Sequence, residues 1–196
     1  MQKIVAITGS DGSGKSSVLE ALTKRFPQAA VGEIWQPMYG ENSPFSSKQA
    51  VDQYLCSLQP EARTLFLSHA LMESTRNALN SGEDLVFLNA YYFKYFASEK
   101  ALGTSSATLE KLISLFPKPD LTIRLMPSLE LISTRKERYS RYECGLQQAN
   151  HEHFVAFQNR CLNYWDLFPG QIDRIVVNSG SLDETVNEIC ELIRQL

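Results

Sequence analysis

The residues with the clearest chemical capacity form a glycine-rich octapeptide near the start of the chain, Gly9-Ser10-Asp11-Gly12-Ser13-Gly14-Lys15-Ser16. It matches the pattern G-x-x-x-x-G-K-[ST] at every fixed position. Glycines let such a loop fold tightly, so that its backbone N–H groups can surround a phosphate chain. Lys15 would reach the β- and γ-phosphates, and the Ser16 hydroxyl would ligate Mg²⁺. The octapeptide therefore predicts that the chain binds a nucleoside triphosphate.

The segments on either side of the octapeptide agree with this interpretation. Residues 3–8 form an apolar, β-branched run typical of a buried strand. Residues 15–26 place Val18, Leu19 and Leu22 on one face of a helix. The alternative, a glycine-rich turn that binds nothing, does not account for this strand–loop–helix context.

Further strands and helices alternate along the rest of the chain. Apolar runs predict four more strands, at residues 29–35, 85–88, 121–125 and 174–177. Helical patterns lie at residues 49–58, 60–80, 108–116 and 151–168, and a last helix is capped by Ser181. This alternation predicts an α/β fold of three layers, with a five-stranded parallel sheet covered by helices on both faces. The aromatic run 91–96 leaves two interpretations open: packing in the core and at a pocket rim, or direct stacking on a ligand.

Composition limits the classes of partner. The chain has 196 residues and a formal net charge of −3, which suits one domain and gives no electrostatic reason to expect nucleic acid or an anionic membrane surface. No apolar stretch approaches the roughly 18 residues of a membrane span. The four cysteines are scattered without a C-x-x-C pair, so free thiols in a reducing cytoplasm are expected.

Four motifs together resemble the thymidylate kinases, a branch of the P-loop nucleoside monophosphate kinases, over nearly the whole chain. The first is Asp11-Gly12-Ser13-Gly14-Lys15-Ser16-Ser17, close to the family's D-G-x-G-K-S/T, and the second is Pro119-Asp120-Leu121-Thr122, similar to its P-D-L-T. The third is Arg135 followed by Arg141-Tyr142-Glu143, which resembles the family's arginine-rich lid. The fourth is Arg174-Ile175-Val176-Val177, followed by a small-residue turn where the family's adenine loop lies.

This resemblance implies a single P-loop NTPase domain over residues 1–196, with an arginine-rich lid at approximately residues 135–150. It implies an ATP- and Mg²⁺-dependent phosphotransferase acting on a small nucleotide, and a homodimer formed through the helix at 60–80 that carries Phe66. The implied catalytic residues are Lys15, Arg138 and Arg141, and Ser16 is the implied metal ligand. The implied contacts to ATP are Gly9, Ser10, Asp11, Gly12, Ser13, Gly14, Lys15, Ser16, Ser17 and Arg135.

The chain departs from the family at three places on the acceptor side. Where the family has R-E-P, this chain has Trp35-Gln36-Pro37. Where the family has F-x-A-D-R, residues 66–70 read F-L-S-H-A and lack the final D-R. Where the family has D-R-[YH], this chain has Asn89-Ala90-Tyr91. Three arginines are therefore missing at once, which predicts an acceptor other than dTMP. Lys94 and Arg76 are the nearby residues that could supply replacement charge. The residues at or beside the altered positions are the candidate acceptor contacts: Trp35, Gln36, Phe66, Asn89 and Tyr91.

Three functions stay open at this point. The first is a kinase of a nucleoside monophosphate or a related acceptor. The second is a kinase of an uncharged nucleoside, which needs fewer phosphate-binding arginines and for which Glu33 is a candidate general base. The third is an ATP-binding module without transfer activity.

Overall fold

In the computed structural model the structure describes residues 1–39, 43–126, 138–168, 170–178 and 181–196. Five parallel strands form one sheet in the order β2-β3-β1-β4-β5. The strands are β1 (Lys3–Thr8), β2 (Ala30–Gly32), β3 (Leu85–Asn89), β4 (Leu121–Met126) and β5 (Arg174–Val177). The expected five-stranded parallel sheet is confirmed.

Helices cover both faces of this sheet, as a parallel sheet requires. They are α1 (Lys15–Arg25), α2 (Lys48–Ser57), α3 (Pro60–Leu79), α4 (Tyr91–Ala101), α5 (Ser106–Ile113), α6 (His151–Leu162) and α7 (Leu182–Ile193). Short 3₁₀ turns lie at Tyr142–Cys144 and Trp165–Leu167. No helix of the described residues is long and apolar enough to cross a membrane.

Two apolar layers hold the helices to the sheet. On one face, Val18 and Leu22 of α1 and Ile189 of α7 pack against Val5 and Ile123 of the central strands. The opposite layer is larger and contains apolar side chains of α2, α3 and α4. The five side chains named on the first face are all fully buried, so water is excluded from that side of the central strands.

Parallel pairing sets the position of the functional edge. Ile7 of β1 lies beside Asn89 of β3, and Thr8 lies beside Arg124 of β4. The carboxyl ends of β1 and β3 therefore meet at one edge of the sheet, and ligands of open α/β sheets bind outside that edge. The octapeptide follows β1 directly at this edge.

Some boundaries differ from those expected. Strand β2 is limited to Ala30–Gly32, since it is an edge strand that pairs with β3 over those three residues, and residues 33–38 turn instead. The helix expected over 151–168 ends at Leu162 and is followed by a 3₁₀ turn. The aromatic run becomes helix α4, which is buried over Tyr91 to Glu99.

Candidate functional site

The octapeptide forms the tight loop between β1 and α1. Gly9, Gly12 and Gly14 have φ angles of 144°, 80° and 89°, which side-chain-bearing residues rarely adopt. A Cβ atom on Gly9 would lie 2.5 Å from the carbonyl oxygen of Leu125. Glycine is therefore required at the point where the loop passes closest to β4.

The amino end of α1 is open to a ligand at the centre of this loop. Its N-cap residue is Gly14, and no side chain caps it. The first N–H groups of a helix have no partner within the helix, and together with the helix dipole they form an anion-binding site. Ser16 and Ser17 are exposed at this position and line the cleft above it. These features fit the phosphate chain of a nucleotide.

Lys15 is folded against its own loop. Its ammonium group donates hydrogen bonds to the carbonyl oxygens of Gly9 at 3.0 Å and Ser10 at 2.6 Å, and to Ser13 Oγ at 3.3 Å. The side chain is 9% exposed and lines the cleft. This buried ammonium group, at the mouth of the loop, would attract a polyphosphate.

Two side chains from distant parts of the chain hold the loop from behind. Asn178, which follows β5, donates from Nδ2 to the carbonyl oxygen of Ser13 at 2.9 Å. Gln158 of α6 accepts the backbone N–H of Asp11 at Oε1, at 3.0 Å, and donates to the carbonyl oxygen of Glu143 at 3.2 Å. The loop is thus tied to β5, to α6 and to the segment that follows the expected lid arginines.

An ion pair joins the loop to helix α4. Lys94 Nζ lies 2.8 Å from Asp11 Oδ1, and both side chains are about nine-tenths buried. The ring of Tyr95 lies beneath the ammonium group, with 4.6 Å between Nζ and the ring centroid. Burial by itself would lower the pKa of Lys94, but the negative charge of Asp11 and weaker contributions from Tyr95 and Glu143 raise the pKa above its usual value. Lys94 therefore stays charged.

The other wall of the cleft carries a carboxylate and aromatic rings. Glu33 lines the cleft and accepts a hydrogen bond at Oε1 from Asn89 Nδ2 at 3.1 Å. Trp35 packs edge-on against Tyr95, with ring centroids 6.0 Å apart. Burial raises the pKa of Tyr95 to about 12, so its hydroxyl remains neutral. This wall offers polar groups for a small molecule and flat apolar surfaces for a base.

The junction between β3 and α4 has a strained backbone. Ala90 has a φ angle of 63° and Tyr91 one of 50°, although neither is glycine. Ala90 is held by two hydrogen bonds to β1: its N–H donates to Ile7 at 2.8 Å, and its carbonyl accepts the Thr8 hydroxyl at 2.8 Å. Strain of this kind concentrates at functional sites. Here it turns the chain sharply so that α4 starts at the cleft.

The cleft has a volume of about 710 Å³ and brings together eight of the predicted site residues. They are Asp11, Gly12, Gly14, Lys15, Ser16, Ser17, Trp35 and Asn89. Gly9, Ser10 and Ser13 belong to the loop but lie behind this surface. Arg135 lies outside the described residues, so its role stays a prediction.

Several predicted residues lie away from the cleft in this conformation. Gln36 is exposed on the turn after Trp35. Phe66 packs against Phe45 and Tyr54, with centroids 5.8 and 5.2 Å away. Tyr91 is buried in the core, where its hydroxyl donates to the carbonyl oxygen of Pro117 at 3.0 Å.

The arginines expected to act on phosphate are also outside the lining. Arg138 and Arg141 are exposed, and Arg141 Nη2 donates to the carbonyl oxygen of Leu146 at 3.1 Å. Arg76 pairs with Glu73 on the exposed face of α3, so of the two suggested replacement charges Lys94 alone reaches the cleft.

Other lining residues were not among the predicted contacts: Tyr39, Lys48, Tyr95, Glu143, Asn178 and Leu182. Tyr95 lies in the aromatic run, for which ligand stacking was one of the two interpretations. Asn178 follows β5 directly, and the general rule that ligands bind at strand ends could have indicated it. Glu143 belongs to the quoted Arg141-Tyr142-Glu143 motif, but no local pattern distinguishes it as a cleft residue.

A buried charge cluster anchors the segment that contains Tyr142. Glu99 Oε1 accepts hydrogen bonds from Arg63 Nε at 3.0 Å and from the Tyr142 hydroxyl at 2.9 Å. Burial raises the pKa of Glu99, although Arg63, Tyr142 and Thr64 each act to lower it. Asp52 accepts the backbone N–H groups of Arg141 at 3.2 Å and Tyr142 at 3.1 Å. In this conformation these contacts hold the Arg141-Tyr142-Glu143 segment against α2 and α4.

No model of a known protein family matches the chain. A relative does match: "probable thymidylate kinase 1" of Saccharolobus solfataricus is 29% identical over 137 residues, which are 69% of this chain and 70% of that protein.

Solved structures agree with this relative. Thymidylate kinase from Candida albicans superposes with a TM-score of 0.70 at 20% identity, over 99% of this chain and 92% of its own. Deoxyadenosine kinase from M. mycoides superposes with a TM-score of 0.63 at 13% identity, over 97% and 99%. The fold is therefore that of the P-loop nucleotide and nucleoside kinases.

Proposed function

We propose that this chain, a thymidylate kinase-like P-loop kinase, transfers the γ-phosphoryl group of ATP to a nucleoside monophosphate. The observation that carries the proposal is the single cleft in which the phosphate loop faces a separate polar wall formed by Glu33, Asn89 and Lys94. A protein that only bound ATP would have no use for a second polar surface directed at the end of the phosphate chain.

The donor side would hold ATP through the loop from Gly9 to Ser17. The uncapped amino end of α1 fits the phosphates, and Lys15 would move from the loop carbonyl oxygens to the β- and γ-phosphates. Asn178 and Leu182, which line the cleft beyond β5, would lie near the adenine.

A magnesium ion fits the same surface. Among the residues that the structure describes, no three His, Cys, Asp or Glu side chains form a ready metal site. This suits Mg²⁺, which binds with nucleotide phosphates and few protein ligands. Ser16 would hold it, and the ion would neutralise charge on the β- and γ-phosphates.

On the acceptor side, a phosphate oxygen would attack the γ-phosphorus. The bond from that oxygen to Pγ forms as the bond from Pγ to the β–γ bridging oxygen breaks, and ADP leaves. A monophosphate oxygen is already ionised at neutral pH and needs no base. The task left to the protein is to position two anions and to neutralise their repulsion.

We also propose that Arg138 and Arg141, together with Arg135, act as lid arginines within residues 135–150 of a single domain. Arg138 and Arg141 are exposed in this conformation, so their action requires the lid to close over bound substrates. The resemblance supports this assignment.

The proposal extends to the assembly and its compartment. Leu65 and Met72 of α3 are exposed, at 56% and 41%, which supports a homodimer that pairs through this helix. All four cysteines are free thiols, which supports a reducing compartment such as the cytoplasm.

A second candidate function is a nucleoside kinase, and the Glu33–Asn89 pair favours it specifically. A hydroxyl acceptor needs a general base within reach, and Glu33 is a carboxylate in the cleft. A neutral acceptor would also tolerate the loss of arginines. The deoxyadenosine kinase that shares the fold is an enzyme of this kind by its name.

ATP consumption measured with single acceptors tests the proposal. The wild type should consume ATP faster when one nucleoside monophosphate of a panel is added, and Lys15→Ala should remove this stimulation. Stimulation by a nucleoside instead would favour the second candidate. ATP binding without stimulation by any acceptor would indicate a non-catalytic module.

A further inference from the structure

Lys94 is placed where the two substrates must meet. It lies in the first turn of α4, directly after the strained Ala90–Tyr91 junction that directs this helix at the cleft. Its ammonium group bridges from the acceptor wall, which holds Asn89 and Glu33, to Asp11 of the phosphate loop. An acceptor oxygen that attacks the γ-phosphorus of ATP held by this loop would therefore lie near Lys94.

Positive charge is scarce in this part of the cleft. Of the described residues that line it, the cations are Lys15, Lys48 and Lys94. Lys15 is turned into the phosphate loop, and Lys48 is exposed at the start of α2. Lys94 and Lys15 are buried to a similar extent, at 8% and 9% exposed, but only Lys94 belongs to the wall that also holds Glu33 and Asn89. A desolvated cation attracts an anion far more strongly than an exposed one does.

The position of Lys94 is costly for a purely structural residue. A positive side chain in the first turn of a helix is repelled by the helix dipole, and a buried ammonium group needs an anion beside it. Asp11 supplies that anion in this structure. An ammonium group has three donors, and among the described residues Nζ contacts one carboxylate oxygen and the face of one ring. These described contacts leave a donor of Lys94 that can bind a ligand.

We infer that Lys94 binds the anionic phosphate of the acceptor and so selects a nucleoside monophosphate over the uncharged nucleoside. This inference rests on the proposed function and names the residue that sets its substrate class. The acceptor phosphate competes with Asp11 for the ammonium group, and the carboxylate holds the cation in place until the acceptor arrives.

Equilibrium binding of matched pairs tests the inference without requiring turnover. Each deoxynucleoside and its 5′-monophosphate are titrated into the wild type, Lys94→Met, Lys94→Arg and Lys100→Met by calorimetry, with ATP titrated separately. Lys100→Met is the matched control, because it removes the same charge from the same helix near its other end. Thermal melting of each variant establishes that it is folded.

The wild type should bind at least one monophosphate more tightly than its nucleoside. Lys94→Met should lower the affinity for that monophosphate by about 10- to 100-fold, the range of one charge-assisted hydrogen bond. The affinities for the nucleoside and for ATP should change by less than about threefold. Lys94→Arg should keep most of the affinity, and Lys100→Met all of it.

An equal loss of affinity for the monophosphate, the nucleoside and ATP would show that Lys94 only stabilises the loop, and would overturn the inference. Failure of the wild type to bind any monophosphate would overturn it as well. If Lys94→Met does not fold, Asp11→Asn decides: it removes the competing carboxylate, so monophosphate affinity should rise, and an unchanged or weaker affinity contradicts the inference. Failure of the proposed function itself appears separately, as ATP consumption that no acceptor stimulates.

Discussion

The side-chain amide of Asn89, the last residue of β3, donates a hydrogen bond to Glu33 Oε1 at 3.1 Å. Glu33 directly follows β2, so the bond joins the carboxyl ends of these two neighbouring strands. This contact places a carboxylate on the polar wall of the cleft, which the phosphate loop also lines. A carboxylate in that position would repel an acceptor phosphate unless a cation lies between them, and Lys94 lies on the same wall. Glu33 would serve a hydroxyl acceptor as a base, and Lys94 would serve a phosphate acceptor as a cation, so these two residues distinguish the two candidate reactions.

Replacing Glu33 by Gln separates those reactions. The amide keeps the shape of the side chain but cannot accept a proton from an acceptor hydroxyl. With a monophosphate acceptor, kcat should stay within about threefold of the wild type, because the attacking oxygen is already ionised. With a nucleoside acceptor whose hydroxyl must be deprotonated, a loss of about 10²- to 10⁴-fold in kcat, the usual contribution of a general base, would instead identify a nucleoside kinase.

Replacing Lys15 by Ala removes the buried cation of the phosphate loop. ATP affinity should fall by at least about tenfold, and acceptor-dependent turnover should fall further, because phosphoryl transfer depends on charge stabilisation. Calorimetry and steady-state kinetics measure the two effects. Lys24→Ala is the control, since Lys24 lies on the same helix in an exposed pair with Glu20. Unchanged ATP affinity in Lys15→Ala would contradict the assignment of the loop.

Replacing Glu99 by Gln tests the buried charge cluster. Arg63 and Glu99 are 1% and 0% exposed, and removal of the carboxylate leaves a buried guanidinium without its counter-charge. Breaking such a pair costs about 3–5 kcal/mol of unfolding free energy. Glu73→Gln, which breaks the exposed Arg76–Glu73 pair, should cost about 0–1 kcal/mol. Urea unfolding compares the two variants, and similar small losses in both would contradict the importance given to the buried cluster.

The Lys94–Asp11 pair predicts a specific dependence of stability on pH. Because the pKa of Lys94 is raised on folding, its contribution is fully present below the ordinary lysine value of 10.5 and is lost as the pH rises through the folded value. The difference in melting temperature between the wild type and Lys94→Met should therefore be constant from about pH 7 to pH 10. A difference that shrinks steadily within this range would show that Lys94 loses its proton there.

The sequence was sufficient for the fold and for placing the glycine-rich loop at the cleft. Short β-branched runs bounded by glycine and proline specify buried strands locally, and the phosphate loop is a contiguous motif, so both are read without knowledge of tertiary contacts. The structure confirms the five-stranded parallel sheet, and the relatives confirm the resemblance to thymidylate kinases.

The acceptor side was not predictable in the same way. Lys94 lies in an aromatic run whose periodicity does not show which side chain faces the cleft, and its partner Asp11 is far away in the chain. Phe66 and Tyr91 were expected at the acceptor, but in this conformation Phe66 packs against Phe45 and the Tyr91 hydroxyl donates to the carbonyl oxygen of Pro117. These positions are decided by how α3 and α4 pack on the sheet, which no local pattern encodes.

The most direct test of the account follows the phosphoryl group itself. The protein is incubated with Mg²⁺ and ATP labelled at the γ-phosphate, together with each nucleoside monophosphate and nucleoside of a panel, and the labelled products are separated. We expect a labelled nucleoside diphosphate from one monophosphate. We also expect poor use of dTMP, with kcat/KM below about 10⁴ M⁻¹s⁻¹, because the missing arginine contacts are worth about 1.5–3 kcal/mol each. Label that appears on a nucleoside, or on no acceptor at all, would contradict the proposed reaction.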